Sequence, residues 1–285
     1  PLPRQKRLLY DSGIHLPLII RFPDQFRAGE IDDQLISFVD FKSTILSLAG
    51  IEPPDYVDGR AFLGEYADSG NRDYVHAAAD RFDSEYDTIR AVRDKRFKYL
   101  RNFNPEKPYY LPLTYREQMP VMQELLRMRD AGELNETQAQ WFRTSKEEEE
   151  LFDVENDPYE VNNLAGDISY AEKLAELRNE LDSWMNYIDD KGLMPEVDLI
   201  NSMWPNSVQP TTLSPIASKA ENDGAITLRS ETEGASIGYQ IVNDGEELGA
   251  AWQIYQNPLS INEGQRLLVI AHRIGFAPSA TISIR

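Results

Sequence analysis

Apolar positions recur with helical spacing in several stretches of the first 200 residues, with short strand-like runs between them. Over 170–187, Leu174, Leu177, Leu181 and Trp184 follow one another by three, four and three, the spacing of one helix face. Met122, Leu125, Leu126 and Met128 predict a second helix within 114–130, with Pro120 near a start or a kink, and a third covers 135–144. Residues 40–49 (DFKSTILSLA) predict a helix with Asp40 as N-cap and Gly50 just past its end. The run LPLIIRF at 16–22, flanked by prolines, predicts a buried strand. Strands are also predicted over 73–78 and 87–93. AVRD and RFKYL around Asp94-Lys95 predict a hairpin with Phe97 and Tyr99 on one face.

The period changes towards the C-terminal end. Residues 193–215 are rich in proline, serine and threonine and end as a linker. Beyond them AITLRS, ASIGYQIV, WQIYQ, RLLVIAH and ATISIR are short β-type runs. Glu-Gly, Asn-Asp-Gly, Asn-Pro and Gly-Phe-Ala-Pro turns separate them, which predicts a small antiparallel sandwich. Trp252 and Tyr255, three apart, face opposite sides of a strand, so one is a core residue. The expected organisation is an α/β part over 1–195, α+β in detail with a small antiparallel sheet. A linker over 196–215 and a β-sandwich over 216–285 follow.

Charge narrows the partners. The 285 residues carry a net charge of −19, which argues against nucleic acid, since phosphate binding needs a basic surface. No window approaches the roughly 18 apolar residues of a membrane span. Residues 1–28 run against the trend, with Arg4, Lys6, Arg7, Arg21 and Arg27 facing only Asp11 and Asp24, so an anion could sit there. The acidic run at 147–150 predicts a solvated turn or helix end. The absence of cysteine excludes disulfides, thiolate metal sites and cysteine catalysis within these residues. His15, His76 and His272 lack metal-ligand spacing, and neither a Gly-x-Ser-x-Gly elbow nor a glycine-rich phosphate loop is present.

Four segments carry a resemblance. KRLLYDSGIHLP with LIIRFP, FVDFKSTILSLAGIEPP, AVRDKRFKYLRNF and ELFDVENDPYEVNNLA together resemble the C-terminal part of a sulfatase. The similarity is to the heparan N-sulfatase-like branch of the alkaline phosphatase superfamily and covers about residues 1–195. It implies hydrolysis of sulfate esters or N-sulfate groups on a sulfated carbohydrate, in a periplasmic or extracellular setting. It also implies a calcium-bound formylglycine, made from cysteine or serine outside this chain, so these residues alone should hold no catalytic calcium and turn over no sulfate. Lys6 matches the family's sulfate-contacting lysine or arginine. Arg4 beside it, His15 where relatives often have arginine, and Asp80 and Arg81 become candidate substrate contacts. The resemblance assigns no metal ligand to this chain.

LFDVENDPYEVNNLA reads structurally: Asp157-Pro158 makes a turn, and Glu160 and Asn163 satisfy nearby backbone groups. A calcium loop of Asp153, Glu155, Asp157 and Glu160 lacks the spacing and glycine of an EF-hand. The tail resembles the Ig-like domain at the C-terminus of chitobiase and β-hexosaminidase enzymes. Two other readings stand beside the sulfatase: a phosphate-ester hydrolase of the same superfamily, and a non-catalytic carbohydrate-binding or spacer protein.

Overall fold

A four-stranded antiparallel sheet organises the first of two units, Pro1–Leu193; the second is Met194–Arg285. The computed structural model describes residues 4–5, 8–70, 72–220 and 224–285. In the first unit a short helix α1 (Asp11–Ile14) and α2 (Asp40–Leu48) precede the strands. These are β1 (Val75–Phe82), β2 (Glu85–Arg93), β3 (Phe97–Asn102) and β4 (Glu149–Asp153), hydrogen-bonded in that order. Helices α3 (Thr114–Glu117), α4 (Pro120–Ala131) and α5 (Glu136–Ala139) lie between β3 and β4, and α6 (Ala171–Tyr187) follows β4.

The period of two along the strands splits the core into two layers. Ile89, Ala91, Leu100 and Phe152 face a cluster with Leu8, Leu9, Tyr10, Tyr109, Met122 and Trp141. Val92, Tyr99 and Leu151 face Leu174, Leu177 and Leu181 of α6, with Phe97 packed beside Tyr99 as the spacing predicts. Burying each such leucine contributes about 1.5–3 kcal/mol, so α6 is held by its stripe rather than by its caps. Covering both faces leaves little room for charge in the strands, which makes buried Arg90 and Lys98 notable.

Local chemistry explains the element ends. Pro120 divides the predicted 114–130 helix, ending α3 and opening α4 as its first residue. Asn135 caps α5 in a reciprocal capping box with Gln138, and a 3-10 turn, Gln140–Phe142, then buries Trp141. Asp40 is the first residue of α2 rather than its cap. Its carboxylate accepts the Ser37 and Arg60 N–H groups, and the Arg72 guanidinium grips it through two nitrogens, both at 2.6 Å. Gly50 follows α2 at φ 69°, where a side chain would be strained.

Two expectations from the first unit are corrected. LPLIIRF forms no strand: among the described residues nothing pairs with it, and Leu16, Leu18, Ile19 and Ile20 are exposed, Ile19 at 91%. An apolar run specifies a buried strand only when neighbours supply both its hydrogen bonds and its cover. The acidic run at 147–150 is solvated only in its first half: Glu147 and Glu148 are exposed, but the run then enters β4, with Glu150 buried and Glu149 gripped by Arg178 at 2.7 and 2.8 Å. Amides over 16–22 should therefore exchange with deuterium far faster than those of β2 and β3. Uniform protection across these segments, read by mass spectrometry, would contradict the exposed run.

In the second unit α7 (Glu196–Met203) occupies the stretch expected to be a linker. β5 (Ile216–Lys219) pairs with β6 (Ile226–Arg229) as a hairpin. β7 (Ser236–Asn243), β8 (Gln253–Ile254), β9 (Gln265–His272) and β10 (Ile282–Ile284) form a second antiparallel sheet in the order β10-β9-β7-β8. Ile226, Leu228, Ile237, Leu267, Val269 and Ala271 make one core, with Tyr255 packed against it. Trp252 is half-buried against Gly238, where an added Cβ would come within 3.3 Å of the Trp252 Cβ.

Candidate functional site

Lys6 lies outside the described residues, but the chain on both sides of it is anchored. On one side Arg4 (φ 63°) sets its guanidinium 3.7 Å above the Tyr10 ring. Its Nη1 donates to the Tyr159 carbonyl at 3.0 Å and its Nη2 to the Glu160 carbonyl at 2.7 Å. On the other side Leu8, Leu9 and Tyr10 enter the core.

Asp11, opening α1, ties this segment to the sheet. Its carboxylate lies 2.7 Å from Lys98 Nζ and 3.2 Å from an Arg93 nitrogen, and its N–H donates to Glu160 at 2.6 Å. The other Glu160 oxygen is 2.9 Å from Lys98 Nζ, and the Lys98 side chain is fully buried. Burial alone would push the Asp11 carboxyl up, but Lys98 and Arg93 outweigh it and hold it below the usual range. Burial wins at Glu160, whose carboxyl is pushed up despite Lys98, with the neighbouring Asp11 charge adding to the rise.

The loop after β4 is built as expected at two positions and not at a third. Asp157 accepts the Val161 and Asn162 N–H groups, and Asn163 accepts those of Leu151 and Ala165. Glu160 instead reaches back to Asp11 and Lys98. Asp153 is held by Arg96 at 2.6 Å, and hydrogen bonds from Arg96, against an opposing burial cost, draw its carboxyl down to about 2. Three of the four carboxylates weighed as a calcium loop are thus committed to Arg96, to backbone and to Lys98, and Glu155 sits 3.7 Å from Arg96. These residues do not fit a calcium ion.

Beneath Arg4, buried Glu150 accepts from the Tyr10 hydroxyl at 2.9 Å, from Asn102 at 2.7 Å and from the Tyr109 hydroxyl. Burial, then the Glu150 charge, push both tyrosines up, so they remain protonated donors. A cleft of about 350 Å³ opens beside this network, between Arg4, the α5 turn and residues 160–163.

The remaining candidates lie elsewhere. His15 is largely exposed, its Nδ1 3.6 Å from Asp11. Asp80 and Arg81 belong to β1, at a register break between Ala79 and Arg81, rather than to a loop before a strand. The Asp80 carboxylate is 2.8 Å from Arg90, which Asp190 grips at 2.6 and 2.8 Å. Gly192 completes this lock, because a Cβ there would fall 1.7 Å from an Arg90 nitrogen. Arg81 donates to the Asp83 carbonyl at 3.2 Å. His76 stacks on Trp184 with ring centroids 4.8 Å apart and meets Glu180 at 3.0 Å. Burial, then the Arg72 charge, lower it to about 4, so it is a neutral donor at pH 7. β1 and β4 are opposite edges of the sheet, roughly 14 Å apart at the usual strand spacing. The fold therefore separates Asp80 and Arg81 from Arg4 rather than gathering them. Sequence reasoning missed Lys98 and Glu150. Lys98 lies in a predicted strand with nothing to single it out, and Glu150 in a charge run that reads as a solvated turn or helix end.

Similarity to known proteins, rather than the geometry alone, supports a C-terminal sulfatase portion. Residues 4–140 match the family model described as N-sulphoglucosamine sulphohydrolase, C-terminal. An ulvan-active sulfatase of Formosa agariphila is 55% identical over 285 residues, all of this chain and 47% of that protein. The human N-sulphoglucosamine sulphohydrolase is 26% identical over 204 residues, 65% of this chain and 39% of its own length. The solved structure of a 2-O GAG sulfatase aligns with 53% of this chain and 25% of its own, at 23% identity and TM-score 0.35. The chain spans about half the length or less of these curated relatives. Among the described residues no helix is long and apolar enough to cross a membrane.

Proposed function

We propose that this chain is part of an enzyme that hydrolyses sulfate groups on a sulfated polysaccharide of the ulvan type, outside the cytoplasm. The observation that carries the reading is the 55% identity to an ulvan-active sulfatase across all 285 residues. The relative's remaining length is room for the calcium ligands and the formylglycine position, which supply the nucleophile and polarise the sulfate in this family. Among the described residues no group of three or more histidine, aspartate or glutamate side chains is placed to hold a metal ion, and the chain has no cysteine that could be converted to formylglycine.

Lys6 is the sulfate contact in this proposal, a cation facing oxygens on which charge grows in the transition state. Arg4, with both terminal nitrogens bound to carbonyls, holds the segment that carries Lys6. His15 is exposed enough to meet substrate. Asp80, paired with Arg90, orders the edge from which Arg81 reaches the glycan. The β domain takes an Ig-like sandwich role as a spacer.

The test is sulfate release by the full-length polypeptide from ulvan oligosaccharides, from N-sulfoglucosamine and, as control, phosphate release from a phosphate monoester. Release from ulvan is the expected result. Release from N-sulfoglucosamine alone would move the substrate to N-sulfated glycans, and turnover of the phosphate ester alone would overturn the sulfatase reading.

A further inference from the structure

The segment that carries Lys6 is closed at its base. Ser12 Oγ donates to the Arg4 carbonyl at 3.0 Å, so the chain returns to its own start. Gly13 makes this approach possible: a Cβ there would fall 2.5 Å from the Leu8 carbonyl oxygen and 3.3 Å from that of Arg4. Loops whose ends meet in this way are frequently functional. Both ends then converge on one residue of a distant loop. Arg4 Nη2 donates to the Glu160 carbonyl at 2.7 Å, and the Asp11 N–H donates to the Glu160 carboxylate at 2.6 Å.

Glu160 is built for this double contact. It is only 2% exposed and takes φ 52°, a left-handed conformation uncommon in a residue with a side chain. In that turn one residue offers its carbonyl to Arg4 and its carboxylate to Asp11. Lys98 of β3 holds the other carboxylate oxygen at 2.9 Å and so seats Glu160 on the sheet. Fold stability alone would be served by the Lys98 pair. Contacts to both ends of one loop fix what lies between them, and Lys6 lies between them. A lysine ammonium sits on a flexible four-carbon stem, so its place depends on where the backbone beneath it is held.

We propose that Glu160 is a positioning residue: by clamping both ends of the loop it sets where the Lys6 ammonium stands, without touching substrate itself. The proposal rests on the reading of Lys6 as the sulfate contact. A group that stabilises developing charge must be in place before the reaction, and a misplacement of about 1 Å can cost about a hundredfold in rate. Glutamine cannot replace Glu160, because its single amide oxygen cannot accept from both the Asp11 N–H and Lys98 in the carboxylate's two directions.

The test uses the full-length polypeptide and sulfated ulvan oligosaccharides, well below the melting temperature. Glu160→Gln should lower kcat/KM for sulfate release by about ten- to hundredfold, mostly in kcat. Added to Lys6→Ala, the same change should cost less than about twofold more, because the group it positions is gone. A merely structural loss of active enzyme would lower the rate by the same factor in both backgrounds, and that result overturns the proposal. A parental rate in folded Glu160→Gln overturns it too. If Glu160→Gln fails to fold, Gly13→Ala forces the base of the loop open while leaving the Glu160–Lys98 pair intact, and the same comparison with Lys6→Ala decides. Hydrogen exchange separates the two ways of failing. Amides over 8–13 should exchange faster in Glu160→Gln than in the unsubstituted protein. Unchanged exchange there overturns the clamp and leaves the Lys6 reading standing. Faster exchange, with Lys6→Ala at the parental rate, overturns the Lys6 reading and the positioning role with it.

Discussion

Replacing Lys6 by alanine in the full-length polypeptide should lower kcat/KM for sulfate release by about 10²–10³. Most of the loss should fall on kcat, because charge on the sulfate oxygens is greatest in the transition state. Lys6→Arg should keep part of the activity, since the charge survives while reach and geometry change. The surroundings make the experiment readable. Arg4 is bound to two carbonyls, and Leu8, Leu9 and Tyr10 are in the core. The segment should therefore hold its course when the side chain between them is cut back, and the melting temperature should barely move. Parental rates at an unchanged melting temperature would remove Lys6 from the site.

Lys98→Met should destabilise the protein by about 3–5 kcal/mol at neutral pH. The ammonium it removes lies between the Asp11 and Glu160 carboxylates, at 2.7 and 2.9 Å, and Arg93 compensates only Asp11. Two buried carboxylates would then face each other with one cation at their edge. Glu160 would relieve this by taking up a proton. Its carboxyl is already pushed up in the native fold, and losing Lys98 removes the main positive charge that opposes that rise. A carboxyl whose native pKa lies above its unfolded value stabilises the fold below the unfolded pKa and loses that contribution as pH rises through the native one. The deficit should therefore narrow as the pH is lowered from 8 towards 5. Urea unfolding across that range is the measurement. A loss below about 1 kcal/mol, the scale of a surface pair, would mean that the cluster is solvated rather than buried.

Local pattern made α6 readable, because three leucines at helical spacing need only one apolar surface to cover them. It made Phe97 and Tyr99 readable for the same reason at period two. LPLIIRF shows the limit, since hydrophobicity states a demand for cover without stating that cover is present. Glu149 and Glu150 show the converse. A charge run reads as solvated until Arg178, Tyr10, Tyr109 and Asn102, from distant parts of the chain, are brought against it. The helix at Glu196–Met203 was available in principle: Pro195 precedes it, and Glu196 and Asp198 occupy its first turn. Its proline-containing flanks pointed to a linker instead. At the site, the motif pointed to Lys6 and Arg4 and to the turn at Asp157, whereas the Asp11–Lys98–Glu160 cluster could not be read from spacing. Its members come from three segments that only the folded sheet brings together.

That cluster also sets a schedule for synthesis. Asp11 must wait for Glu160, 149 residues later in the chain. At ribosomal rates of about 5–20 residues per second, that is roughly 7–30 s during which the Asp11 segment has emerged but its anchor has not. For that interval the exposed Ile19 and its apolar neighbours share solvent with an undocked Leu8 and Leu9. Docking of the Asp11 segment therefore cannot be completed before Glu160 clears the exit tunnel, and the residue that closes this window is the glutamate of the Asp-Pro-Tyr-Glu loop.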